Sequence, residues 1–138
     1  MGMFLGTTAG TAVTISGAVT ANPSPTKLGT GQVFKSFTLQ GTTINSGATR
    51  DLYSVTAGKT FYLTSANFIN TSGGDPCISL RDGAGGADMF SAEIPALTTT
   101  VNVSNHTFPV PIPFASKVTG SGSLANGTYT ISGQGYEE

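Results

Sequence analysis

The chain has 138 residues, of which 38% are hydrophobic and only 9% are Asp, Glu, Lys or Arg. A typical soluble domain carries roughly 25% charged residues, so this surface must be hydrated mainly by the hydroxyls and amides of Thr, Ser and Asn. The formal net charge is −1, and Lys27, Lys35, Arg50, Lys59, Arg81 and Lys117 are scattered singly, which excludes the basic stripe of a nucleic-acid binder and argues against attachment to an anionic membrane.

Residues 1–30 differ from the rest. They hold Gly2, Gly6, Gly10, Gly17 and Gly29 and the segment Asn22-Pro23-Ser24-Pro25, whose prolines favour extended backbone. Inside lies a short β-like run, Ala12-Val13-Thr14-Ile15-Ser16, with Val13 and Ile15 as candidate contacts. The region reads as an extended N-terminal arm that orders on a partner, or else as a first strand of the main domain. Met1–Val19 has no positively charged start and no solid apolar block, so no secretory leader is expected. No run approaches the ~20 apolar residues that span a bilayer.

From residue 31 to 138 the pattern is strands and turns. Strands are predicted at Val33–Leu39, Asp51–Val55, Thr60–Ile69, Pro76–Arg81, Met89–Ile94, Thr99–Val103, Val110–Phe114 and Thr128–Ser132. Phe61 and Leu63, with Ser65 following, alternate with Tyr62 and Thr64. Val101 and Val103 alternate with Thr100, Asn102 and Ser104, and Tyr129 and Ile131 with Thr128, Thr130 and Ser132. One apolar and one hydroxyl-rich face is the pattern of half-buried antiparallel strands.

Turn chemistry separates the runs: Ser72-Gly73-Gly74-Asp75-Pro76, Asp82-Gly83-Ala84-Gly85-Gly86, Gly120-Ser121-Gly122 and the hairpin-favouring Asn126-Gly127. No window shows helical periodicity. The expected fold is all-β, an antiparallel β-sandwich of about eight strands over residues 31–138, with a jelly roll preferred to an immunoglobulin-like order. The sequence does not give the strand order.

Residues able to do chemistry are few. His106 is the only histidine and sits in Ser104-Asn105-His106-Thr107 with no nucleophile motif beside it, which reads as a polar loop residue. A glycosidase needs two carboxylates across a cleft. Asp75 and Asp82 read instead as turn residues, and Asp82 and Asp88 lack the dense ligand pattern of a calcium loop. The single cysteine, Cys77, excludes an intrachain disulfide and a zinc cluster. The four Asn-X-Ser/Thr sequons, at Asn70, Asn102, Asn105 and Asn126, are what a chain this rich in Ser and Thr produces by chance. No catalytic group, metal ligand or cofactor site is expected. Sugar binding through exposed aromatic platforms is disfavoured by the absence of Trp, and Tyr53, Tyr62, Tyr129 and Tyr136 are assigned mainly to core or interface packing.

Two segments have the character of interfaces. Phe108-Pro109-Val110-Pro111-Ile112-Pro113-Phe114 alternates apolar residues with three prolines; proline cannot donate to a ladder, so Phe108, Pro109, Pro111 and Pro113 belong at a sheet edge or a subunit contact. Gly133-Gln134-Gly135-Tyr136-Glu137-Glu138 reads as a tail beyond the last strand, with Tyr136 as an anchor and Glu137 and Glu138 as paired charges.

Four pieces in order, Thr56-Ala57-Gly58-Lys59-Thr60-Phe61-Tyr62-Leu63, Ile78-Ser79-Leu80-Arg81-Asp82-Gly83, Phe108-Pro109-Val110-Pro111 and Tyr129 to Glu138, resemble small β-sandwich domains of tailed-bacteriophage structural proteins, of the capsid decoration (cement) or head-fibre type. The resemblance covers roughly residues 50–138. It implies a homotrimer seated on a capsid, bound to the major capsid protein, with an arm along the capsid surface. It also implies synthesis in the host cytoplasm and a final location on the virion. It transfers no functional residue. The alternative is a receptor- or carbohydrate-binding module of a phage tail or fibre; a glycosidase is the remote third reading.

Overall fold

A computed structural model of the chain describes residues 28–72, 76–94 and 102–138. The expected arm, with Val13 and Ile15, lies outside the described residues apart from its last three positions. The described residues form eight strands: β1 (Val33–Ile44), β2 (Thr49–Ser54), β3 (Phe61–Asn70), β4 (Cys77–Asp82), β5 (Asp88–Glu93), β6 (Asn102–Phe114), β7 (Lys117–Gly122) and β8 (Gly127–Glu137). There is no helix among the described residues.

The strands form two four-stranded antiparallel sheets, ordered β1-β8-β3-β6 and β2-β7-β4-β5. Their inner faces meet in one core. Phe37, Ile44, Phe61, Leu63, Phe68, Phe114, Tyr129 and Ile131 come from the first sheet, and Ile78, Leu80, Ala92 and Val118 from the second. The expected β-sandwich is therefore the fold. Strand β1 pairs with β8, β2 with β7, β3 with β6 and β4 with β5, so the pairings nest inside one another along the chain.

Several local expectations change. Strand β7 covers Gly120-Ser121-Gly122, which the sequence suggests as a break. Its glycines face the core: a Cβ on Gly120 would lie 3.2 Å from Ile131, and one on Gly122 would lie 2.9 Å from the Tyr129 ring. Glycine here makes room for large residues across the sandwich rather than a turn. Asn126-Gly127 joins β7 to β8, which lie in different sheets, so it is a crossover and not a hairpin.

The C-terminal tail is likewise a strand. Tyr136 and Glu137 pair with β1 on one side and β3 on the other. Gly135 permits this, because a Cβ there would lie 1.9 Å from the Tyr62 carbonyl oxygen. Thr60 and Glu138 exchange backbone hydrogen bonds, at 3.0 and 3.2 Å, and close the ladder.

Predicted strands Thr99–Val103 and Val110–Phe114 meet in the single strand β6, although 95–101 lies outside the described residues. Val103 faces outward at 46% exposure, against the expected alternation, because Ser104, His106 and Phe108 turn inward on this strand. In β3 a register shift between Leu63 and Ser65 moves the inward face onto Ala66 and Phe68, so Ser65 does not continue the Phe61 and Leu63 face.

Candidate binding surface

Asp75 lies outside the described residues, and the carboxylates of Glu137, Asp82 and Asp88 are engaged in holding the fold. Glu137 is 3% exposed. Its carboxylate accepts hydrogen bonds from the Tyr53 hydroxyl (2.9 Å), the Thr56 N–H (2.8 Å) and the Thr56 hydroxyl (2.8 Å), and Lys35 Nζ lies 3.7 Å away. Burial pushes the Glu137 carboxyl up, but these donors and the lysine charge outweigh it and hold the group below the ordinary glutamate range. Burial, then the hydrogen bond and charge of Glu137, push the Tyr53 hydroxyl up to about 12.

Asp82 caps the turn between β6 and β7. It accepts the N–H groups of Ala115, Ser116 and Lys117 at 2.8, 2.9 and 3.2 Å, and the Ser116 hydroxyl at 2.8 Å. Burial pushes the Asp82 carboxyl pKa up and the four donors pull it down, with a net shift downward. Asp88 is held low chiefly by Arg81, whose Nε lies 2.5 Å away. His106 is not a loop residue. It sits in β6 with its ring 4.8 Å from Phe90 and 5.9 Å from Phe68, and a ring nitrogen lies 2.7 Å from the Ser104 hydroxyl. Among the described residues no three His, Cys, Asp or Glu side chains come together as a metal site.

The proline-rich segment lies on an edge strand, since β6 is last in its sheet. Leu63 pairs with Ile112 and Ser65 with Thr107, so Phe108–Pro111 bulges out opposite Thr64 alone. Phe108 is half-buried, its ring 4.9 Å from Phe90, while Val110 at the bulge is 82% exposed. Pro109 and Pro113 are exposed and Pro111 is half-buried. Glu137 sits inside the domain, and Glu138 accepts a hydrogen bond from Gln32 at 3.1 Å.

Tyr136 belongs to a feature the sequence hides. The ladder registers align Phe34, Tyr136, Tyr62 and Pro113 in one row across all four strands of the first sheet. The row faces away from the core, and the Tyr62 and Tyr136 rings stack 5.2 Å apart at 21°. Alongside run two polar rows, Ser36-Gln134-Ser65-Thr107 and Thr38-Ser132-Asn67-Asn105. Together they line an open depression of about 420 Å³. None of these three rows carries a charge. The second sheet carries charged pairs instead, Arg81 with Asp88 and Lys117 with Asp51 at 2.6 Å. Period-two alternation signals that Tyr62 faces outward, but Tyr136 falls in a segment that reads as a tail, and only the registers bring the two together.

No protein-family model matches the chain, and no curated protein matches it by sequence. Among solved structures it is similar to the cryo-EM structure of the giant freshwater prawn Macrobrachium rosenbergii extra small virus (XSV) VLP. The identity is 10%, the match covers 99% of this chain and 91% of that one, and the TM-score is 0.42.

Proposed function

We propose that the chain is a virion structural protein: a capsid decoration (cement) protein that binds the outside of a tailed-phage head, as a homotrimer, and stabilises contacts between major capsid proteins. The nested pairing of β1 with β8 through β4 with β5 supports reading the sandwich as a jelly roll. The resemblance of residues 50–138 to phage β-sandwich domains supports the class.

The observation that carries the attachment is the β6 bulge. An edge strand that prolines prevent from being extended by another strand still projects Val110 at 82% exposure. An apolar knob on a blunted edge is suited to a pocket on a partner, not to sheet-to-sheet aggregation. Residues 1–30 would add a second contact per chain, and a trimer would multiply both, so that weak individual contacts bind tightly together.

Undecorated heads mixed with the purified chain and pelleted should carry it down, and Val110→Asp should leave more of it in solution while the fold persists. Wild-type chain wholly in the supernatant would end this reading. The alternative, a receptor- or carbohydrate-binding module of a tail or fibre, draws support from one observation, the Tyr62–Tyr136 stack, an aromatic platform built without tryptophan.

A further inference from the structure

The outward side of the β1-β8-β3-β6 sheet has a chemistry that attachment through the β6 edge does not use. Its two polar rows hold five hydroxyls and three amides and no ionisable group. Asn67 Nδ2 donates to Asn105 Oδ1, which orients that pair. Among the described residues, the side chains of Ser36, Thr38, Ser65, Thr107, Ser132 and Gln134 form no hydrogen bond with the rest of the chain. Their donors and acceptors are open to a ligand across a sheet roughly 14 Å wide.

We propose that this face binds a neutral oligosaccharide. Hydroxyls and amides each donate and accept, as sugar hydroxyls do, so an array of both can satisfy a polyol in either sense. An anionic ligand would meet no cation in the rows, and a cationic one no carboxylate. An apolar peptide would have to cover eight polar groups and leave many without partners, which is costly. The stacked Tyr62 and Tyr136 rings lie one strand repeat further along, about 7 Å away. Together with Phe34 they offer the flat apolar surface on which the C–H face of a sugar ring packs. Polar groups that fix the hydroxyls and an aromatic pair that holds the ring thus lie side by side on one open face.

The test uses the full chain on an array carrying neutral hexose and N-acetylhexosamine oligosaccharides beside sialylated and sulfated ones. Titration calorimetry follows with the strongest neutral oligosaccharide. Binding is expected to neutral members, with Gln134→Ala and Tyr136→Ala each weakening it about tenfold or more and Tyr136→Phe retaining it. Gln134 is exposed, so its variant reports on binding even if Tyr136→Ala disturbs the sheet. Val110→Asp should bind sugar as wild type does, which separates this face from the head-binding edge. The proposal is overturned by no signal on any neutral glycan, by signal confined to acidic glycans, by affinity unmoved in Gln134→Ala, or by self-association through this face without sugar binding.

Discussion

Replacing Glu137 by glutamine isolates what one buried carboxylate contributes. In the native chain it accepts three hydrogen bonds, two from Thr56 and one from Tyr53, and faces Lys35. Hydrogen bonds to a charged group stabilise by about 1.5–3 kcal/mol each. Thr56 is exposed, so its N–H and hydroxyl can turn to water when the charge is lost, and much of that sum is recovered. The expected loss for Glu137→Gln at neutral pH is therefore about 2–3 kcal/mol, read as a lower midpoint in urea with an unchanged slope. The acid limb gives the sharper result. The carboxyl titrates below its ordinary value in the folded state, so the folded chain binds fewer protons than the unfolded one. Its contribution is complete above the ordinary glutamate value near 4.5. That contribution is lost as pH falls through the lower folded value. Asp82 and Asp88 are shifted the same way, so the variant keeps part of the wild type's acid sensitivity. The stability gap between wild type and Glu137→Gln should narrow from pH 7 to pH 3. Equal stability at pH 7, or a gap that stays constant through that range, would refute the reasoning.

Tyr53→Phe removes one of the three donors and should cost about 1 kcal/mol at neutral pH. Because the Tyr53 hydroxyl is raised from 10.0 to about 12 on folding, its contribution persists below pH 10 and is lost as pH rises through 12, so the variant should lack that alkaline loss in denaturation curves. Gly135→Ala should destabilise by more than about 3 kcal/mol or abolish folding, since the new Cβ would strike the Tyr62 backbone at 1.9 Å. Gly85→Ala, with nothing within 4 Å, should leave the melting temperature nearly unchanged. Asp82→Ala should cost about 1–2 kcal/mol by uncapping the β6–β7 turn, measured by thermal unfolding, and should change no binding.

The runs Phe61–Leu63, Ile78–Leu80 and Tyr129–Ile131 were legible because apolar side chains alternate there with hydroxyls, and that alternation is itself the physics of a half-buried strand. What escaped was strand made of glycine. Gly120, Gly122, Gly133 and Gly135 carry the signature of turns in sequence, yet all are buried within strands. A Cβ on Gly133 would lie 2.6 Å from Phe37. The requirement for glycine comes from a bulky side chain on another strand, or at Gly135 from the neighbouring backbone, which no local pattern reveals. The missing N–H groups pointed the proline segment to a sheet edge or a subunit contact, and it lies on the edge strand β6. The size of its bulge depends on pairing with β3 and is a property of register.

The same limit hid the aromatic row. Tyr62 and Tyr136 lie far apart in the chain; alternation places Tyr62 outward, but the glycines around Tyr136 make its strand read as a tail. Absence of tryptophan does not exclude an exposed aromatic surface, since two tyrosines brought into register present one that neither has alone. The distribution of charge follows one logic with this. Glu137 ties the C-terminal strand to the β2–β3 connection, Asp82 holds the β6–β7 turn, and Asp51 and Asp88 are paired on the second sheet. Of the few ionised groups, these carboxylates are engaged within the sandwich. The outward rows of the first sheet are left to hydroxyls, amides and rings, and a surface of that kind discriminates among partners by hydrogen-bond pattern and shape instead of charge.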